Sequence, residues 1–315
     1  SIVKYLLQLQ THFHVLIGGR RSIKEISMST FYNSERLKYN QMNYNNDVEL
    51  DNFCSQCLLV INAVGPSFKI NDKIALHALR NNCHYIDIGG YGILRDLLKP
   101  YEKSIEAQKL CFIIGVGWMP GISGVFSKTI IETHLNSPEN TNFNIYYGAV
   151  DNWSYSSTYD LAASSMGKTR SYVYSHGKEI QVSPFRYTHH KFFPFIGHKK
   201  ICMPSFDEQL TQLATSLKQI RKISTFIMLN DYISMGKFMF IKIFYKHNLN
   251  KATLMLQDDY QRLVKKENKW GSVICQVSKI EPERKIDTFY YLYTKNNLLY
   301  TALPAVITTQ YILEG

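Results

Sequence analysis

The tetrapeptide Gly18-Gly19-Arg20-Arg21 closes a short apolar run, His12 to Ile17, and carries no acidic residue. Where a parallel strand ends beside the adenine ribose of a dinucleotide, an acidic side chain accepts from the 2'-hydroxyl, whereas guanidinium groups pair with a 2'-phosphate. Glycines there let the backbone approach a ligand. Gly18, Arg20 and Arg21 are therefore candidate cofactor contacts and NADP is the expected cofactor, with an exposed basic turn as the alternative. A second cluster, Asn62, Ala63, Val64, Gly65 and Pro66, puts small residues at the end of an apolar run, where they admit a cofactor or simply terminate a strand. Asp87 ends another such run, placed either to contact nicotinamide or substrate or to cap the following turn.

Other reactive types are weaker signals. Cys54-Ser55-Gln56-Cys57 has the spacing of a zinc half-site or redox pair, but no second such pair exists, so the thiols read as packing groups and no metal is expected. His189 and His190 read as loop residues. Asp151, Trp153, Ser154, Tyr159, Asp160 and Arg170 cluster after a strand-like stretch in a region rich in hydrogen-bonding side chains, which makes them substrate-binding candidates; an aromatic surface loop against a partner subunit is the alternative.

The elements that must position these residues follow from periodicity. Ile2, Val3, Leu6 and Leu7 have helical spacing; Leu58 to Asn62 is an apolar run of the kind a parallel sheet buries on both faces; Ile74, Ala75, Ala78 and Leu79 fit a helix capped by Asn71. His84 to Ile88 is a strand, Leu94 to Lys109 a helix, and Leu110 to Ile114 a strand that runs into Gly115-Val116-Gly117-Trp118-Met119-Pro120-Gly121. A short helix is expected from Ser22. Alternation of strand and helix describes an α/β, doubly wound Rossmann-type parallel sheet over residues 1–120.

Beyond Gly121 the texture changes to Tyr, Ser and Asn, with strands expected at Phe143 to Val150, Ser171 to Tyr174, Ile180 to Val182, Gly271 to Ile280 and Thr288 to Tyr293, and helix over Thr211 to Lys246. Residues 121–294 are thus expected to form a second, α+β substrate or dimerisation domain. The last segment, 295–315, is a hydrophobic helix with Pro304 in its first turns.

The phosphate-cradling G-x-G-x-x-G is absent: Pro120 takes the third glycine position after Gly115 and Gly117, and Arg95 after Gly90 and Gly92. The first strand and its glycine loop are accordingly expected upstream of Ser1, making the chain a fragment.

The 315 residues are 45% hydrophobic, enough for a sizeable core. A net charge of +11 is spread in short groups such as Lys199-Lys200 and Lys265-Lys266, without a recognition motif, so nucleic acid is not an expected partner. No run approaches the roughly 18 uncharged apolar residues of a membrane span, and Asp231, Lys237 and Lys242 interrupt the best one, so no membrane partner is expected. Without an export signal, and with six irregularly spaced cysteines, the expectation is a cytoplasmic protein with reduced thiols.

Taken in order, Gly18-Gly19-Arg20, Ile61-Asn62-Ala63-Val64-Gly65-Pro66, His84-Tyr85-Ile86-Asp87, Gly115 to Gly121 and Tyr300-Thr301-Ala302-Leu303-Pro304-Ala305 resemble the saccharopine dehydrogenase family. The family's frequent Asp-Val near the adenine is Asn43-Tyr44 here. The resemblance implies that the Asn-x-x-Gly-Pro turn, Arg20 and the Gly117 turn face NADP, that the Pro-Gly turn opens the change of domain, and that the final helix returns to the nucleotide domain. It also implies hydride transfer at the carbon–nitrogen centre of a small amino-acid-like imine or secondary amine. A protein that keeps the fold as a dinucleotide-sensing or subunit-interaction module is the alternative. The aromatic stretch from Thr225 to Tyr245 is expected to bury a homodimer interface or roof the site.

Overall fold

The structure, a computed structural model, describes residues 2–9, 12–22, 35–90, 92–135, 138–166, 171–245 and 247–314. By internal contacts the chain forms two compact units: Ser1–Met119 with Leu298–Gly315, and Pro120–Asn297.

In the first unit, α1 (Ile2–Gln8) leads to β1 (Val15–Gly19), which pairs in parallel with β2 (Leu37–Gln41). Arg36, just before β2, donates to the carbonyls of Leu7 and Leu9 and so satisfies the open end of α1. Next come α2 (Asp47–Cys54), β3 (Leu59–Asn62), α3 (Ser67–Ile70), α4 (Lys73–Arg80), β4 (His84–Asp87), α5 (Gly92–Leu98), α6 (Glu102–Ala107) and β5 (Phe112–Ile114). The strands β3, β4 and β5 make a second, wholly parallel sheet.

Both faces of that sheet are packed, which is why its strands are apolar apart from His84, Asn62 and Asp87 at their ends. Val60 and Tyr85 join one buried cluster with Leu50, Cys54, Ile74, Ala78 and Leu94. On the opposite face Ile86 and Val116 pack with Ala305 of α13 (Asn297–Glu314), the last helix of the chain. Trp118 stacks on Tyr300 at 5.1 Å and holds the start of that helix to the same unit.

The second unit contains α7 (Ile122–His134), β6 (Thr141–Val150), α8 (Tyr155–Met166), β7 (Ser171–Ser175), β8 (Lys178–Val182), α9 (Pro184–Tyr187), β9 (His189–Phe193), β10 (His198–Pro204), α10 (Glu208–Ser216), β11 (Lys222–Leu229), α11 (Tyr232–Phe244), α12 (Leu249–Lys266), β12 (Trp270–Ile280) and β13 (Lys285–Thr294). Its sheet runs β13-β12-β6-β11-β10-β9, with β7 on β11 and β8 on β7. The sheet curls: Lys191 of β9 donates to Gln276 of β12 at 2.5 Å, and Phe195 stacks on Tyr291 of β13 at 4.3 Å.

Several expectations are corrected. Residues 211–246 are not one helical stretch: Lys222–Leu229 is a central strand, parallel to β6 and buried from Ile223 onward. An apolar run buried on both sides has no period that separates helix from strand, and β-branched Ile223, Thr225 and Ile227 suit the strand. The part of the aromatic stretch up to Leu229 is therefore core and offers no surface to a partner. Asn71 does not cap α4. It terminates α3 with φ of 53°, and Asp72 holds the cap position of α4 without a side-chain bond. The helix expected from Leu94 to Lys109 is broken at Pro100 by a 3-10 turn, Lys99–Tyr101, because proline removes a donor and crowds the preceding turn. His189 and His190 lie in β9 rather than in a loop. Pro304 sits inside α13, two turns past its start. The short helix expected from Ser22 lies outside the described residues.

Candidate functional site

The carboxyl ends of β3 and β4 converge on one polar group. Register pairs Asn62 with Asp87 and Val60 with Tyr85, and alternation along β4 turns Tyr85 and Asp87 to the same face. Asn62 Nδ2 donates to Asp87 Oδ2 at 2.7 Å and to the Tyr85 hydroxyl oxygen at 3.1 Å; the Tyr85 hydroxyl donates to Asp87 Oδ2 at 2.6 Å. The other carboxylate oxygen accepts from the Gly89 amide at 2.9 Å. All three side chains are buried. Desolvation, and then the neighbouring carboxylate, push the Tyr85 phenol well above its ordinary range, so it is a permanent donor.

The turn that follows β3 is shaped from the same residues. Asn62 Oδ1 accepts from the Val64 amide at 3.0 Å, folding Ala63 and Val64 back over the strand end, and the Gly65-Pro66 bond is cis. Val64 is exposed. Behind the turn, Asn62 and Asp87 line a cavity of about 10 Å³ with Ser67, Phe68, Ile70, Asn71, Gly90, Ile93 and Leu94. That volume is about one water, not a nicotinamide. Asp87, with three protein donors, has the turn-capping geometry of its two expected roles. Gly117 is buried after β5, where Gly115 takes a φ of 70° and Val116 donates to the Asp87 carbonyl.

At the end of β1, Gly18 is kept small by its own neighbours: a Cβ there would lie 2.9 Å from Met42 Sδ and from the Phe53 ring. Packing within the unit thus accounts for Gly18 without a ligand. Arg20 and Arg21 are exposed, their backbone carbonyls fixed by Gln41 and Tyr39.

In the second unit, Asp151, Trp153 and Ser154 follow one another between β6 and α8, and each is engaged structurally. Asp151 accepts from Lys269 at 2.8 Å, Asn297 at 3.1 Å and the Asn152 amide at 2.7 Å. Burial raises its carboxyl pKa, but these donors outweigh burial and hold it below the ordinary value. Trp153 stacks on Tyr260 at 4.8 Å, and Ser154 accepts from the Ser157 amide at 3.2 Å as a helix cap. Tyr159 and Asp160 are buried on α8, and Arg170 lies outside the described residues. None of the five described candidates lines the cavity beside Asp87, nor the one of about 20 Å³ beneath α11 that Leu161, Phe238, Leu256 and Asp259 help to form.

Cys54, Cys57 and Cys83 pack together. Cys83 Sγ donates to the carbonyls of Cys54 and Cys57 at 3.2 and 3.0 Å, and burial pushes the Cys54 thiol up to about 12. Among the described residues no group of three or more His, Cys, Asp or Glu is placed to hold a metal ion. Residues that the sequence reading passed over are Tyr85 and Ser67. Tyr85 was detectable as the i−2 partner of Asp87 on a strand; Ser67, which lies against Gly89, has no local signal.

No protein-family model matches the chain, and no curated protein matches it in sequence. Among solved structures it is similar to apo histidine-tagged saccharopine dehydrogenase (L-Glu forming) from Saccharomyces cerevisiae, with a TM-score of 0.65 and 14% identity over 100% of this chain and 88% of that one. It also aligns with yvaA from Bacillus subtilis at a TM-score of 0.40 and 8% identity, over 99% of this chain and 90% of that one. The first likeness shows a shared fold; the second is too distant to inform it. No helix among the described residues is long and apolar enough to cross a membrane.

Proposed function

We propose that this protein is an NADP-dependent oxidoreductase of the saccharopine dehydrogenase type, transferring hydride at the carbon–nitrogen centre of an amino-acid-like substrate. One observation carries the reading. In a unit built from a parallel strand pair and a parallel three-stranded sheet, two exposed arginines follow directly on the end of β1. Ligands bind at the carboxyl edge of such sheets, and an arginine pair in place of an acid selects a 2'-phosphate.

The split between the β1-β2 pair and the β3-β4-β5 sheet supports the same reading. In the strand order 3-2-1-4-5-6, β1 and β2 stand as strands 2 and 3, and β3 to β5 as strands 4 to 6. The open edges of β1 and β3 then flank the place of the first strand, whose glycine loop would cradle the pyrophosphate. Arg20 and Arg21 would hold the 2'-phosphate, and Ala63, Val64, Gly65, Pro66 and Gly117 would line the nicotinamide side. NADP supplies the hydride chemistry. Asp87, through Asn62 and the Gly89 amide, keeps the turns after β3 and β4 in shape.

The test is a fluorescence titration with NADPH and NADH on this chain and, where the reading frame continues ahead of Ser1, on the extended form. NADPH is expected to bind more tightly than NADH, with Arg20→Ala weakening NADPH by about tenfold and leaving NADH unchanged. Equal binding of the two cofactors, or none by either form, overturns the assignment.

The missing G-x-G-x-x-G favours a second reading, a catalytically inactive dinucleotide-sensing or subunit-interaction protein on this fold. Tight NADPH binding by the chain without turnover of any amino acid or keto acid would select it.

A further inference from the structure

Lys191 of β9 reaches across the curl of the second unit's sheet to β12, β6 and β13. Its Nζ donates to Gln276 Oε1 at 2.5 Å and to the Tyr146 hydroxyl oxygen at 3.4 Å, and it lies 4.9 Å from the centres of both the Tyr146 and the Phe289 rings. Register places Gln276 opposite Phe289 of β13, and two positions from Ile274, the partner of Tyr146, so all three share the inner face of the curl. Gln276 and Tyr146 are buried, whereas Lys191 is only partly buried and Phe289 is 44% exposed. The amine is thus fixed on its inner side, while the Phe289 side opens to solvent.

A lysine that leaves water ordinarily pairs with a carboxylate. This one meets an amide and a phenol, both neutral. The acid that acts on it from β13, Asp287, is paired with Lys285 at 3.1 Å. Gln276 separates the two: its amide nitrogen serves Ser278, at 3.2 Å, and Asp287, while its oxygen serves Lys191. From β10, the Cys202 thiol is pushed up to about 12 by burial, and Lys200 is turned to Glu267 at 3.1 Å. From β9 itself comes His189, whose Nδ1 lies 3.0 Å from the Tyr187 carbonyl. Burial pushes the Lys191 ammonium below its ordinary range, and Asp287 restores only part of that. The two ring faces favour the charged form and offset a further part. The Tyr146 hydroxyl donates to Gln276 Oε1 at 3.0 Å and leaves the nitrogen lone pair of the uncharged amine undonated to. A free anion is disfavoured beside Asp287, whereas a neutral electrophile is not.

We propose that Lys191 is a covalent attachment site for small uncharged aldehydes, held as an imine beside the Tyr146 and Phe289 rings. The nitrogen lone pair forms a bond to the carbonyl carbon, and the carbonyl oxygen leaves as water with the two amine hydrogens. No oxidant or reductant takes part. The site is independent of the oxidoreductase reading.

Reductive trapping on the whole chain, with limiting propanal and cyanoborohydride followed by peptide mass mapping, tests it. Exposed Lys199 on the adjacent strand is the internal reference. At about pH 7.5, Lys191 is expected to gain the propyl group at least about tenfold faster than Lys199, and the ratio should narrow as pH rises towards about 10, where both amines are uncharged. Gln276→Glu sets a carboxylate on the amine in place of the amide oxygen, and should slow labelling of Lys191 about tenfold with Lys199 unchanged. The pH profile of the unaltered protein decides the matter should that variant misfold. The proposal is overturned if Lys191 labels no faster than Lys199 near neutral pH, if their ratio is constant with pH, or if a folded Gln276→Glu variant labels as before.

Discussion

Asn62 donates its side-chain amide at 2.7 Å to the carboxylate of Asp87, the residue directly across from it on the neighbouring parallel strand. The bond ties together the two strand ends that carry the candidate cofactor edge, and the Tyr85 hydroxyl completes it at 2.6 Å. A buried carboxylate deprived of one donor keeps its desolvation cost without the compensating bond. Asn62→Leu is therefore expected to destabilise the protein by about 2 kcal/mol, read as a lower urea midpoint with unchanged slope. Asp87→Asn keeps the shape and one acceptor oxygen, and should cost less. A larger loss for Asp87→Asn than for Asn62→Leu would contradict this account.

Asp231 and Arg262 supply a pH-dependent contribution. Arg262 meets the two Asp231 oxygens at 2.6 and 2.9 Å, and the Ser234 amide donates to the same carboxylate at 2.8 Å. Burial raises the Asp231 pKa, but these donors outweigh it and hold the carboxyl far below its ordinary value of 3.8. A folded-state pKa below the unfolded one gives stability that is complete above the unfolded value and lost as pH falls through the folded one. Arg262→Met should thus cost about 2 kcal/mol at neutral pH, and the gap between the two proteins should narrow below about pH 4. A constant gap down to the acid limit would show that Arg262 acts through packing alone.

The thiols of Cys54 and Cys83, raised to about 12 and about 11 by burial, should resist alkylation. Iodoacetamide at mildly alkaline pH is expected to modify exposed Cys111 first, and the buried pair only at the rate of unfolding. Rapid loss of both buried thiols in the folded protein would restore a redox role for the Cys54-x-x-Cys57 spacing.

Trp118 reports on the last helix. Its ring stacks on Tyr300 at 5.1 Å with 15° between planes. Tyr300→Ala removes about 1 kcal/mol of aromatic contact beyond the lost burial, and should shift tryptophan emission to the red as Trp118 gains water. Unchanged emission would place Trp118 in a different environment.

Local pattern alone was enough for elements whose side chains answer to a single period or a single breaker. Leu58 to Asn62 and His84 to Ile88 read as strands, Ile74 to Leu79 as a helix and Leu298 to Leu313 as a helix because each repeats its apolar positions within its own few residues. The polar residues at strand ends were legible for the same reason: Asn62 and Asp87 each break an apolar run. Their mutual bond was not, since it depends on the register between strands separated by two helices.

Tertiary structure decided what local pattern left degenerate. Lys222 to Leu229 is a strand because it lies in parallel register against β6, about eighty positions earlier, where its run of apolar side chains is buried on both faces. Lys191 meets Gln276 only because the sheet curls its two ends together. Gly18 is small because Met42 and Phe53 pack against it, a requirement invisible in Gly-Gly-Arg-Arg itself. In each case the sequence determined which side chains had to be buried or bonded. The partners came from contacts distant along the chain, whose geometry exists only once the backbone is closed around them.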